Sequence, residues 1–475
     1  MASPSLDKER HLRYWKRCFR SYLPSQYTSH DSSRMAIAFF IVAAHDLLSP
    51  SRSSGEPQQL TVEDRINIRT WVLKLQHVSG GFCGSPTHAL PPHLCKRYDA
   101  AAGEWHGKHV GNSNVAATYF ALLLLSLASD GTKDGDLGAF AGVDRVATLR
   151  WLRTLQREDG SFGELVLDDG TIEGGKDMRL CYLACMIRWS LRGDVREGDP
   201  GWVEDINVEQ LVKYIRRGQT YDGGMAESPE HESHAGYAYC AAAALYLLDR
   251  PPNSLELHDS ETVSRGILSR EALISFLVHR QFSLLEREGE EGDDEDEDED
   301  GPSLSLPQSL EELSLNDTSC VGFNGRCNKV ADTCYCWWVG GTLSILPGAS
   351  VDLLATEPSR NFLFNKTQHL IGGFSKHPGG PPDVHHGYLG LAALATMGDP
   401  SLMSFDPSLC VSTETTAKIV TARTALLEAT KASATWSAKF PSTSDFWSGK
   451  EAVWPKSTID DEAQQKLAKA LAILA

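Results

Sequence analysis

Apolar positions recur three and four residues apart along most of the chain. That is the spacing of helices with one buried face, and strict apolar–polar alternation is scarce. Five stretches go further: "VAATYFALLLLSLASD", "DMRLCYLACMIRWSL", "SHAGYAYCAAAALYLL", "DTCYCWWVGGTLSIL" and "VHHGYLGLAALATMGD" are rich in Ala, Gly, Cys and Leu, with few charges beyond their starts. Such segments predict helices buried on most sides. "SRMAIAFFIVAAHDLL", Ser33 to Leu48, is a sixth of the same kind.

A second pattern runs between them. Gln76 precedes "SGGFCG", Gln156 "EDGSFG", Gln219 "YDGGMA" and Gln368 "IGGFSK", while Gln281 lies upstream of "VGFNG". Each glutamine follows an amphipathic helix and leads through a glycine turn to a small-residue helix. Recurrence at tens of residues marks one supersecondary unit used many times. Here the unit is a helical hairpin, its outer helix amphipathic and its inner helix apolar. About six such hairpins use most of the chain, and they close into an α–α barrel or stack as an open solenoid with capped ends. The expected organisation is one all-α domain over residues 8–475, after a flexible N-terminus at 1–7. An acidic, disordered insertion at 284–318 splits the fourth unit. Beyond Ser412 the pattern weakens to a less regular, helical extension.

Composition narrows the function. The net charge of −18 is concentrated in "EREGEEGDDEDEDEDG", Glu286 to Gly301. Without it the body is mildly acidic, which excludes nucleic acid as a partner, since phosphate binding needs a basic footprint. No apolar run approaches the ~20 residues of a transmembrane helix, and the charged N-terminus has no secretory core. Eleven scattered cysteines in a chain of 475 residues favour reduced thiols and a cytoplasmic location.

The starts of the inner helices carry the polar chemistry: Arg179, His234, Asp332 with Cys334, and His385 with His386. In a ring, these starts share one rim and converge. Asp332, Cys334 and one histidine would make a three-ligand Zn²⁺ site with an open fourth position, where a substrate thiol is held as thiolate. A capping Asp332 and a plain buried Cys334 are the alternatives. Arg326 and Lys329 stand just before the same helix, and with His234 and Lys376 they would grip a phosphate or diphosphate at helix N-termini. Tyr335, Trp337, Trp338, Tyr119, Tyr182 and Tyr388 fall on inner helices and would line a greasy shaft below, or serve simply as core. A cationic rim over an aromatic barrel implies a ligand with a diphosphate head and a hydrocarbon tail.

Seven segments, among them "SRMAIAFF", "LQREDGSFGE", "YDGGMAESPEHESHAGYAYC", "GRCNKVADTCYCWWVG" and "LIGGFSKHPGGPPDVHHGYLGLAAL", follow one another as they do in the β subunits of protein prenyltransferases. The chain resembles that family from about Tyr14 to Thr416, most of all its type I geranylgeranyl branch. The resemblance implies an α6–α6 barrel, a heterodimer with an α subunit, and one Zn²⁺ on Asp332, Cys334 and His386. It also implies transfer of geranylgeranyl from its diphosphate to the cysteine of C-terminal CaaX proteins such as small GTPases. By the same resemblance His234, Arg326, Lys329 and Tyr335 hold the diphosphate and Arg179 lines its cavity. Lys376 stands where farnesyl enzymes carry a Mg²⁺-binding Asp, so Mg²⁺ is not expected to be required. Ala36, expected at the barrel floor with Phe40 nearby, replaces a bulky Trp of farnesyl enzymes and leaves room for a longer tail. His385 and Asn114 depart from the family in the pocket for the peptide's last residue. "CYCWWV" and "SHAGYAYC" look closer to the Rab-specific branch. Farnesyl and Rab-type subunits are the alternatives; a lipid-cyclase barrel lacks its Asp-x-Asp-Asp run here, and a non-catalytic scaffold leaves the convergence of polar groups unexplained.

Overall fold

A computed structural model describes residues 5–51, 55, 58–85, 97–99, 104–106, 112–130, 135–167, 170–193, 195–199, 201–252, 255, 258–283 and 319–432. In chain order the helices are α1 (Lys8–Arg20), α2 (Arg34–Leu47), α3 (Val62–Lys74), α4 (Val115–Ala128), α5 (Arg145–Thr154), α6 (Met178–Leu191) and α7 (Val208–Arg217). Then follow α8 (Ala235–Asp249), the short α9 (Glu261–Gly266), α10 (Arg270–Val278), α11 (Thr333–Ile345), α12 (Thr356–Phe362), α13 (Val384–Thr396) and α14 (Thr413–Ala432).

The six apolar segments of the sequence are α2, α4, α6, α8, α11 and α13. Each packs on the next, and α13 packs back on α2. The array is therefore a closed ring, and the open solenoid is ruled out. α1, α3, α5, α7, α10 and α12 form the outer layer.

All inner helices start on one rim for a reason visible in the backbone. In five of the six an early N–H, from Met35, Val115, Met178, Ala235 and Thr333, donates to a carbonyl of the following hairpin: Gly84, Glu164, Glu227, Gly325 and Lys376, at 2.8–3.1 Å; in α13 the Val384 N–H donates to the Tyr27 hydroxyl at 3.1 Å. Asn114, Asp177, His234, Asp332 and Asp383 then cap the helices with their side chains, satisfying donors that a helix leaves open. Asn114 is thus a cap, accepting from Ala117 N–H at 2.7 Å.

The repeated glutamines join one hairpin to the next. Gln156 Oε1 accepts from Asn207 N–H at 2.6 Å, and its Nε2 donates to Asn207 O at 3.0 Å. Gln219 does the same at Ser269, with 2.9 and 2.8 Å. Gln76 Oε1 accepts from Asp144 N–H and Gln281 Oε1 from Ala355 N–H, both at 2.8 Å. Every one of these partners is the residue capping the next outer helix. Gln368 accepts from Asp7 N–H at 3.4 Å, ahead of α1, so the last hairpin is fastened to the first. The turn glycines make the close approach possible. Gly160 has φ +95° and Gly223 +88°, and a Cβ on them would lie 2.2 and 2.4 Å from carbonyls of α7 and α10. Only glycine tolerates both conditions.

The other end is shut. The hairpin Phe405–Asp406/Val411–Ser412 reaches under the ring, and buried tyrosines hold it: Tyr182 donates to Ser408 O at 3.1 Å, Tyr239 to Pro407 O at 2.7 Å and Tyr388 to Cys410 O at 2.6 Å. Residues 413–432, expected as a less regular helical extension, form the regular helix α14, with Ile419, Ala422 and Leu426 buried. The acidic insertion lies outside the described residues, as do residues 1–4 and 433–475. Its neighbours Gln281–Ser283 and Val321–Phe323 pair as antiparallel strands, so the fourth hairpin is continuous in space. The ten described cysteines are free thiols.

Candidate metal centre and its surroundings

Asp332 caps α11: its Oδ1 accepts from Cys334 N–H at 2.8 Å. The same oxygen lies 3.3 Å from His386 Nε2. Capping and ligand geometry thus meet in one atom. On α13, Asp383 accepts from His386 N–H at 2.8 Å with one oxygen and meets His386 Nδ1 at 2.6 Å with the other. That contact fixes the ring so that Nε2 faces Asp332, the usual way an outer carboxylate orients a metal-binding histidine. Asp383 was not singled out from the sequence, although its place three residues before His386 was a signal. Ligand atoms of Cys334, His385 and His386 all lie within 4.8 Å of one another. His385, expected in the peptide pocket, therefore stands in the donor cluster itself.

The charges of this cluster fit a cation. Burial would lower the His386 pKa, but Asp332 and Asp383 outweigh it and raise it to about 9. Burial and then Asp332 push the Cys334 thiol well above its ordinary range. Burial also works against the Asp332 carboxylate, yet the hydrogen bond and charge of His386 hold it below the usual range. Two carboxylates around one imidazole call for positive charge. A thiol, imidazoles and a carboxylate at such spacing suit a borderline-soft divalent ion, which ionises the thiol as it binds.

Beside the cluster, His234 caps α8 through Nδ1, accepting from Gly236 N–H at 3.0 Å, and its Nε2 lies 2.9 Å from the Tyr335 hydroxyl. Burial first, then Arg326 and Arg179, lower the His234 pKa to about 4. It was expected to add charge to a cationic grip; as a neutral imidazole it adds a hydrogen bond instead. Arg326 pairs with Glu232 at 2.9 Å, and Arg179 Nε donates to Asp177 at 2.8 Å, with its guanidinium 5.8 Å from the Tyr237 ring. Sequence reasoning missed both carboxylate partners. Lys329 and Lys376 are exposed. The Lys376 carbonyl accepts the Thr333 N–H, which sets Lys376 beside the start of α11.

Across the ring the rim is apolar. Phe40 packs against His385, Tyr388 and Phe120 with ring centroids 5.2, 5.9 and 6.0 Å apart. Ala36 lies in the first turn of α2, three helices round from His234. It was expected at the floor; the structure sets it near the mouth, opposite the polar sector. Trp338 is half-buried, 5.2 Å from Tyr239, whereas Trp337 is wholly buried against Phe405 of the closing hairpin. Tyr119 and Tyr182 are buried too, their hydroxyls 3.1 Å apart, and with Tyr388 they stand about one turn below the rim, where Tyr182 and Tyr388 meet the closing hairpin.

A closed double ring of helices with a metal-donor cluster on its rim is the architecture of an α–α toroid. The chain belongs to the family described as "Prenyltransferase alpha-alpha toroid domain", matched over residues 6–411. It is 29% identical to the geranylgeranyl transferase type-1 subunit beta of Arabidopsis thaliana, over 86% of this chain and 89% of that one. It is 26% identical to the subunit of the same name from Dictyostelium discoideum, over 86% and 95%. It is also 26% identical to the protein farnesyltransferase subunit beta of Pyricularia oryzae, over 83% and 63%. Among solved structures it is similar to Candida albicans protein geranylgeranyltransferase-I complexed with GGPP, with a TM-score of 0.62 and 24% identity over 88% of this chain and 99% of that chain.

Proposed function

We propose that this chain is the catalytic β subunit of a cytoplasmic protein geranylgeranyltransferase type I, working with an α subunit on CaaX proteins. The observation that carries the proposal is the meeting of Asp332, Cys334 and His386 on a rim that is polar on one side and apolar on the other. Similarity to type-1 β subunits along almost their whole length supports the branch.

The metal in this reading is one Zn²⁺ on Asp332, Cys334 and His386. Zn²⁺ in such a site ionises and holds a substrate thiol, the nucleophile of a thioether-forming transfer. Asp383 keeps His386 aimed at it. Charge grows on the departing diphosphate in the transition state, and Arg326, Lys329 and Lys376 offer cations there while His234 and Tyr335 offer neutral donors. Glu232 and Asp177 hold Arg326 and Arg179 in place until a diphosphate competes for them. The Lys376 ammonium takes the part of Mg²⁺. The tail runs from the polar sector across the mouth toward Ala36 and Phe40, with Trp338 beside it. Removing an indole at Ala36 leaves space for one more isoprene unit.

The test is transfer by the chain co-expressed with its α subunit. Geranylgeranyl transfer to peptides ending in Leu should exceed farnesyl transfer, without Mg²⁺, and Ala36→Trp should reverse the order. A wild type that prefers farnesyl diphosphate, or that is fully active when elemental analysis finds no zinc, overturns the assignment.

A further inference from the structure

The family resemblance sets His385 beside the peptide's last residue, and the structure brings it to the metal donors. Its donor atom lies with those of Cys334 and His386 within 4.8 Å. Its ring stands perpendicular to that of His386, at 88° with centroids 5.0 Å apart, and packs edge-on against Phe40. The two rings thus approach the same point from two sides. The His385 ring is half-buried, and no hydrogen bond engages it among the described residues. An imidazole nitrogen without a hydrogen-bond partner keeps a lone pair to offer a metal.

We propose that His385 is a fourth protein donor to the metal in the substrate-free chain, so that the resting set is Asp332, Cys334, His385 and His386. The proposal rests on the zinc reading above and alters it in one respect. Bonds of about 2.0–2.3 Å to Zn²⁺ place tetrahedral ligands about 3.3–3.8 Å apart. Side-chain movement of about an ångström brings the donors of Cys334, His385 and His386, now within 4.8 Å of one another, to that spacing, and Asp332 Oδ1 already lies 3.3 Å from His386 Nε2. A catalytic zinc keeps one position for substrate; here His385 fills it. An incoming thiol would have to take the place of the His385 imidazole on the ion and release its proton to solvent.

The experiment uses the full chain co-purified with its α subunit, comparing wild type, His385→Ala, His385→Phe and Cys334→Ala. Zinc affinity is read by chelator competition and the coordination set by the visible spectrum of the Co²⁺-loaded protein. Both His385 variants are expected to bind zinc at least about tenfold more weakly and to shift the Co²⁺ bands. Adding a CaaX peptide should bring the wild-type and variant spectra together, since sulfur then replaces the imidazole in one and solvent in the other. The Phe variant retains packing on Phe40 should the Ala variant fail to fold. Superimposable Co²⁺ spectra and zinc affinities within twofold of wild type, with Cys334→Ala still losing zinc, overturn the role of His385 alone. Should wild type and Cys334→Ala alike bind no zinc, the metal reading falls with it.

Discussion

The two ends of the ring are built from the same six inner helices and treat polar groups in opposite ways. At the closed end, charge is matched from within the chain. Arg250, at the C-terminus of α8, meets Asp406 at 2.7 Å with side chains 1% and 5% exposed, and Asp406 also accepts from Ser408 and Thr416. Arg145 donates to the last carbonyls of α6, at Leu191 and Arg192. Cations at helix C-termini are favoured by the dipole, as anions are at N-termini. At the rim, where the N-termini gather, the balance is left incomplete. Two carboxylates crowd His386, the Cys334 thiol is buried beside one of them, Asp332, and Arg326 leans on the exposed Glu232 while Arg179, itself exposed, leans on Asp177. What is satisfied internally holds the shape; what is not binds.

The sharpest way to break this comparison is to remove one partner at the satisfied end. Arg250→Met leaves Asp406 charged and enclosed, which costs about 3–5 kcal/mol, read by chemical denaturation. Zinc affinity measured on the folded fraction should stay within threefold of wild type. A milder stability loss, below about 1 kcal/mol, would mean that the closed end is wet and the contrast false. The corresponding change at the rim is Asp383→Asn. It keeps an oxygen toward the helix N-terminus but removes the charge that orients His386. Metal affinity should fall about 10–100-fold, with a smaller loss of stability than Arg250→Met produces.

The contrast explains which features were legible in the sequence. Inner helices announce themselves because a segment buried on all sides must be apolar on all sides. Asp332, Cys334 and His386 announce themselves because each opens such a segment. The glutamines were visible as a period, but the partner of each is a backbone group at the cap of the next outer helix, 50 residues on for Gln219 and Ser269; no local propensity encodes that pairing. His385 was singled out for the peptide pocket, but its adjacency to His386 does not say that both rings turn to one point. The hairpin at Phe405 carries no periodicity. It is defined by tyrosines from three inner helices, distant along the chain. α14 was read only as a less regular helical extension, although Ile419, Ala422 and Leu426 have helical spacing.

The wall between the two ends supplies the smallest effect and the finest test. At the seam where the last hairpin meets the first helix, His11 is wholly buried. Its Nε2 lies 3.0 Å from Gln368 Oε1, and its Nδ1 accepts from Gly373 N–H. The ring must therefore be neutral. Burial lowers its pKa to about 4, against a smaller upward pull from Gln368. The unfolded chain takes up this proton near pH 6.5, while the folded chain resists until about 4. Between those values the unfolded state binds more protons, so stability falls as pH drops. The internal joints at Gln156 and Gln219 have a backbone pair and no histidine. The ring should consequently open first at its seam in acid, with amide exchange in α1 accelerating before exchange in α7 or α10. His11→Gln should cost at most about 1 kcal/mol at pH 7, and it should flatten the acid slope between pH 6.5 and 4. An unchanged slope, or exchange that rises first in α7, would place the weakest joint elsewhere in the wall.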